Sequence, residues 1–322
     1  MKRSLKSVIA LVSLMLIYIL LASLGVYTTM GLIVFPVLSI PLALCLIKGK
    51  LTLGIDFIFN IAIIMGIYLI TYSIQSVLIY LISACVPAYA AAFFYKKKVP
   101  LPNTIMYVSV IMTLAVFIYF AGMKSVGIDY EKQFILLVDE IKTIYFQLLI
   151  SMEQSASSQE ILQQSMMKEI ITLITDTIKQ VYPALILIMV IAFTSIQMIF
   201  LNSLLAKRGT KISSLKPLFN FKLSKITVLI LFMSMMVALL SENTNSIWVV
   251  VALNVLFVMQ NLMQVMGIIS VSVLLKRAAI HKGLKVLGYI VLFMLLVTPT
   301  SVLMMLGCFD TIFNYRKATI IV

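Results

Sequence analysis

The chain has one histidine, one tryptophan and only 11 acidic residues among its 322. His281 stands alone in a basic stretch, so a histidine metal set or a histidine-based triad has no second member. The three cysteines, Cys45, Cys85 and Cys308, are widely separated, form no Cys-x-x-Cys pair and suit small apolar filler better than ligation. No Gly-rich loop ending in Lys-Ser or Lys-Thr is present, which excludes nucleotide hydrolysis by that route. These absences point away from an enzyme, and no metal or cofactor is expected. Charge is scarce too, at 11% of residues, which is too little to cover a soluble domain.

Long apolar runs fill the space that charge leaves. Hydrophobic residues make up 62% of the chain, and the mean hydropathy is +1.14. About 20 apolar residues at 1.5 Å rise cross a hydrocarbon layer, so the expected class is an all-α integral membrane protein with about eight or nine spans. The candidate spans lie near 8–25, 30–47, 52–70, 73–95, 104–122, 183–206, 226–240, 247–275 and 286–307. "KGK" at 48–50, "KKKVPLP" at 96–102 and the Lys-rich run 206–225 punctuate them. Pro183 suits the first turn of its helix, where a missing N–H costs nothing. The opening run 8–25 reads as an uncleaved span, being longer than the apolar part of a secretion signal.

Orientation follows from the basic residues. With the N-terminus cytoplasmic and the spans alternating, the inner segments hold 18 of the 25 Lys and Arg, and the outer segments hold the other 7 against 10 acids. Short loops carry this positive-inside signal. The predicted setting is a bacterial cytoplasmic membrane, N-terminus inside; nine spans place the C-terminus outside, and one span fewer reverses that end. The net charge of +14 is spread over short inner segments facing anionic headgroups, so the lipid bilayer is the expected partner and nucleic acid is not.

Residues 123–182 form the one long segment outside the spans. Phe134, Val138, Ile141, Tyr145, Leu148 and Met152 recur at steps of three and four, and so do Met167, Ile171, Ile174, Ile178 and Val181. Both patterns are amphipathic helices. "SASSQE" between them reads as a turn, with Ser157 and Glu160 at capping-box spacing. The expectation is an extracytoplasmic helical hairpin whose stripe meets its own bundle, the interface or a partner.

Polar residues inside spans are costly in lipid and mark cavities or helix contacts. Asp56 and Asn60 lie one turn apart in the third span; Asp56 alternatively reaches the interface near Lys48 or Lys50. Tyr72, Ser76, Tyr80, Ala84, Ala88 and Ala92 follow at steps of four, and the small residues among them suit close helix packing. Asn254, Asn261 and Gln264 share a stripe of the eighth span, where interhelical hydrogen bonds and ligand binding are equally open. The candidate substrate-binding set is therefore Asp56, Asn60, Tyr72, Ser76, Tyr80, Asn254, Asn261 and Gln264.

The chain closes on "GCFDTIFNYRK", residues 307–317. Asp310, Asn314 and Lys317 are expected on one helical face, and Asp310 is expected to begin a helical exit tied to Arg316 or Lys317. In order and position this stretch, with Gly307, Asp310, Asn314, Arg316 and Lys317, resembles the C-terminal signature of the YybS-like bacterial membrane proteins, a family of unestablished function. That family is distantly similar to the substrate-binding subunits of energy-coupling-factor transporters. The resemblance implies a six-span core over 1–206, including the outer segment 123–182, followed by an addition over 207–322. It also implies small-molecule uptake with a transmembrane coupling subunit and ATPases on other chains. Residues 8–25 lack the small-x-x-x-small pair through which such subunits often dock. Two functions follow as expectations: a small-molecule-binding subunit of a transport system, or a non-transporting scaffold that recruits envelope proteins.

Overall fold

The computed structural model describes residues 31–47, 53–153, 158–207, 221, 223–241, 246–278, 281–297 and 301–317, with positions 12, 13, 16, 17, 19 and 20. The described residues are almost all helical, and none of them forms a strand. The elements are α1 (Gly31–Ile47), α2 (Leu53–Thr71), α3 (Ile74–Lys96), α4 (Leu101–Ser125), α5 (Tyr130–Glu153), α6 (Ser158–Gln180), α7 (Tyr182–Lys207), α8 (Lys225–Leu240), α9 (Ile247–Arg277), α10 (Lys282–Val297) and α11 (Ser301–Phe313). A 3₁₀ turn, Tyr315–Lys317, follows. Among them α3, α4, α7 and α9 are long and apolar enough to cross a membrane, and α8 and most of α2 and α11 are shorter apolar helices. Most of the first expected span and of the 206–225 loop, as well as Ser157 of the expected cap, lie outside the described residues.

The chain packs as two compact units: residues 1–126 with 189–218, and residues 127–188 with 219–322. In the first, α3 is central. Ala84, Ala88 and Ala91 on α3 are fully buried and share one core with Leu42 and Ala43 of α1, Ile63 and Ile67 of α2, Leu101 and Val108 of α4, and Leu201 and Leu205 of α7. With no apolar solvent penalty to drive them together in lipid, helices associate by close packing, which small side chains permit. α3 contains one wide π turn, Leu81–Cys85, so its faces do not keep a uniform step of four.

Helix α3 starts later than the expected stripe requires. Ser73 caps α3, its Oγ accepting the Ser76 N–H at 3.4 Å, while Thr71 Oγ1 accepts the Ser73 N–H at 3.3 Å. These short hydroxyl side chains offer the backbone an alternative to helix. Tyr72, between them, takes φ 49° and lies outside both helices.

In the second unit α5 and α6 form an antiparallel hairpin. Phe134 packs at a tilt on Tyr182 (ring centroids 4.6 Å apart), and farther out Asp139 meets Lys179 at 2.5 Å. The C-terminal helices form the other part of this unit. α9 packs on α8, where Val228, Leu231 and Met263 make a small core with Leu256 and Met304. α9 also packs on α11 at Gly267 and Gly307. A Cβ on Gly307 would run into the Met263 carbonyl, and a Cβ on Gly267 into the Leu303 carbonyl. Each glycine faces the carbonyl one turn before the other glycine, so α9 and α11 run parallel. Arg277, ten residues beyond Gly267, accordingly reaches Arg316, nine beyond Gly307.

That geometry corrects the expected ninth span. Residues 286–307 are not one helix: α10 ends at Val297, and α11 starts at Ser301. Pro299 lies between them in sequence and supplies no N–H; residues 298–300 lie outside the described residues. The tail therefore ends beside the C-terminal end of α9.

Candidate functional site

Asn60 is the hub of the polar residues in the first unit. It is 8% exposed, and its Nδ2 donates to Tyr89 Oη at 3.0 Å. Its Oδ1 accepts from Tyr80 Oη and from Cys85 Sγ, each at 3.4 Å. Tyr80 is fully buried and Ser76 nearly so. Tyr80 and Cys85 flank and close the π turn of α3, a feature found often at functional positions. An amide satisfied at both ends inside an apolar core holds the α2–α3 contact in one register.

Tyr72 does not belong to this cluster. It is 81% exposed, because the Ser73 cap ends the repeat of four before it reaches Tyr72. The backbone of Asp56 is in α2, one turn before Asn60, and its side chain lies outside the described residues. Tyr89 and Cys85 had no local sequence signal as partners of Asn60, being 29 and 25 positions away. On α4, the buried hydroxyl oxygens of Ser109 and Thr113, one turn apart, have no hydrogen-bond partner among the described residues. Neither residue stood out in the sequence, where isolated hydroxyls in apolar helices usually bond their own backbone.

The three amides of α9 belong to the second unit. Asn254 works as a splint. Pro183 interrupts the backbone ladder between α6 and α7, and the Asn254 amide fills the gap: its Oδ1 accepts the Ala184 N–H at 3.0 Å, and its Nδ2 donates to the Gln180 carbonyl at 2.8 Å. The same nitrogen donates to the Val250 carbonyl at 2.8 Å. Both ends of the amide are thus used in holding the root of the hairpin against α9. Asn261 Nδ2 donates to the Phe257 carbonyl of its own helix at 2.8 Å. Gln264 is half-buried.

The tail forms a separate, charged knot. Asp310 is 2% exposed and Arg316 is 5% exposed, with Arg316 Nε 2.6 Å from Asp310 Oδ2. Asp310 Oδ1 accepts the Arg316 N–H at 3.4 Å, and Arg316 Nη2 donates to the Phe221 carbonyl at 2.8 Å. Arg277 donates to the Arg316 carbonyl, and Tyr315 Oη to the Leu306 carbonyl at 3.2 Å. Asp310 does not begin a helical exit; it lies in the last turn of α11. Nor do Asp310, Asn314 and Lys317 share a continuous helical face. Asn314 has φ 53°, the left-handed conformation that ends many helices, and it folds the chain back so that Arg316 reaches Asp310. Gly307 sits where no side chain fits, and the Lys317 side chain lies outside the described residues.

The hairpin presents a different kind of surface. Leu137, Ile141, Ile144 and Leu148 form a stripe on α5, and Met167, Ile170 and Leu173 one on α6, each residue being 43–71% exposed. Across 127–181 the acids number 8 and the lysines 4. At the root of the hairpin, Lys179 is held above the ordinary lysine range chiefly by its hydrogen bond to Asp139.

A family model described as Predicted membrane protein (DUF2232) matches residues 14–311. No curated protein and no solved structure matches the chain.

Proposed function

The chain belongs to this family of membrane proteins, and from that premise we propose that it is a multi-pass scaffold whose α5–α6 hairpin recruits another envelope protein. The reading rests on the exposed stripes of the hairpin. Apolar residues at helical spacing on a solvated element are a protein-contact signature when they form one continuous patch. The acid excess around them fits a partner whose apolar face has a basic rim. The candidate small-molecule groups are otherwise engaged: Asn60 bonds Tyr80, Tyr89 and Cys85, and Asn254 bonds the hairpin root.

Orientation is part of this proposal. The hairpin belongs outside the cytoplasmic membrane and the N-terminus inside, by the distribution of Lys and Arg. The parallel α9–α11 pair brings Arg316 and Lys317 to the same end as Arg277, raising the inner basic residues from 18 to 20 of 25.

To test the recruitment, a photoreactive amino acid is placed at Ile144 or Ile170 and irradiated in intact cells. The expected product at both positions is one protein partner, lost when Ile141→Glu is added. Crosslinks to lipid or to the chain itself, with no partner at either position, would contradict the reading.

A second reading is supported by the cluster at the π turn. Asn60, Tyr80 and Cys85 are uncharged, buried and drawn from two helices. Such a set suits a small-molecule-binding subunit of a transport system, working with coupling and ATPase chains, as the resemblance to transporter subunits implies. Native mass spectrometry of the purified chain decides this reading. A retained small molecule, weakened by Asn60→Leu at unchanged protein yield, supports it; its absence from protein purified in mild detergent counts against it.

A further inference from the structure

The hairpin is entered and left through two backbone joints. The chain enters α5 after Gly127, whose φ of 91° is open chiefly to glycine. It leaves α6 at Pro183, where the ladder opens over a single step. Val181 N–H still donates to the Thr177 carbonyl at 3.0 Å, and Leu185 N–H to the Val181 carbonyl at 2.9 Å. Pro183 has no N–H to offer the Lys179 carbonyl. Ala184 N–H and the Gln180 carbonyl, which an unbroken helix would join, bond the two ends of the Asn254 amide instead, at 3.0 and 2.8 Å. A side chain inserted into the ladder in this way sets a kink. Asn254 Nδ2 also donates to the Val250 carbonyl of its own helix at 2.8 Å, so the amide keeps a partner when it leaves the gap. Just before the joint, Asp139 holds Lys179, which makes α5 follow α6.

We propose that this joint is a hinge with two positions and that Asn254 is its latch. With the amide in the gap the kink is wedged open, as the structure has it. With the amide withdrawn to Val250, Ala184 N–H donates directly to the Gln180 carbonyl, the gap narrows, and the hairpin swings as one body against α9. Both positions pair the N–H and the carbonyl of the joint, which lets two arrangements lie close in free energy. Helix α6 has 23 residues, a lever of about 35 Å. A change of about 20° at the joint, the scale of a sharp helix kink, therefore moves its far end by about 12 Å. The hinge sets where the hairpin holds its apolar stripes, and it operates whether or not those stripes meet a partner.

The test reads distances between paired spin labels, by pulsed electron resonance, in the full chain carrying Cys45→Ala, Cys85→Ser and Cys308→Ala in mild detergent. One pair, at Met166 and Trp248, spans the hinge; the other, at Leu136 and Met166, lies within the hairpin. All three sites are exposed. Asn254→Leu removes the latch. It should shift the first distance by about 7 Å, given a lever of about 20 Å from Gln180 to Met166, and leave the second unchanged. Pro183→Ala completes the ladder without touching α9 and should shift the first distance in the same sense. If Asn254→Leu does not fold, Pro183→Ala decides alone. An unchanged first distance in either folded variant, or shifts of opposite sense, would overturn the hinge. A change in the second distance would also overturn it, by showing that the hairpin melts instead of swinging.

Discussion

Asp310 and Arg316 are both buried, so neither can fall back on water when its partner is removed. Exposed pairs contribute about 0–1 kcal/mol, whereas leaving one member of a buried pair unmatched costs about 3–5 kcal/mol. Arg316 also holds the Phe221 carbonyl, four residues before α8. Asp310→Ala and Arg316→Ala should each lower the thermal unfolding temperature and the yield of monodisperse protein in detergent. The swapped pair, Asp310→Arg with Arg316→Asp, should recover only part, since an aspartate cannot donate to Phe221. Wild-type melting of both single variants would show that the knot carries no stability. That an acid and a base in "DTIFNYRK" would serve the fold was readable from their position after the last apolar run. A tie from Asp310 to Arg316 or Lys317 was also expected; how it forms was not, because six residues is no helical spacing and the contact depends on the left-handed Asn314 at the end of α11. The neighbouring contacts were no more readable, since Arg277 and Phe221 lie 39 and 95 positions from Arg316.

Among the elements, the hairpin has a titratable clip. Lys179 lies 2.5 Å from Asp139 and 3.7 Å from Asp176, and its value is raised above the ordinary 10.5 by the Asp139 hydrogen bond first. A cation whose value rises on folding contributes stability that is fully present below its unfolded value and is lost as pH climbs through the folded one. The root of the hairpin should therefore hold through neutral pH and loosen only above about pH 10.5. Spin labels at Asn-free exposed sites such as Leu136 and Thr177 should gain mobility there, and Lys179→Met should show that mobility already at neutral pH. A wild-type mobility that stays flat into strong alkali would remove the clip from the account. The two helices of this hairpin were legible because their apolar residues keep steps of three and four. The failures elsewhere have specific causes. Ser73 caps α3 and ejects Tyr72 from a repeat that looked unbroken. The π turn then shifts the later part of α3, and the apolar run around Pro299 divides into α10 and α11. Apolar composition is insensitive to all three, since a helix, a break and a tight return can be equally greasy.

At the scale of the whole molecule, class was legible and assignment of polar groups was not. A chain with 11% charge and a hydropathy of +1.14 had to be a membrane protein. Which buried amide serves a ligand and which serves the fold depends on partners distant in sequence. Asn254 illustrates this: it is spent on the gap opened by Pro183, 71 positions away, and so stabilises the root of the hairpin. The resulting account has an acidic, apolar-striped hairpin on one side of the membrane and the basic helix ends with the C-terminal knot on the other. Its most direct test is sidedness. In a chain with Cys45→Ala, Cys85→Ser and Cys308→Ala, single cysteines are introduced at Ile144, at His281 and after the last residue, and intact cells freed of any wall barrier are treated with an impermeant thiol reagent. The account predicts labelling at 144 in intact cells, and labelling at 281 and the C-terminus only after permeabilisation. Labelling of the C-terminus together with 144 in intact cells would contradict it.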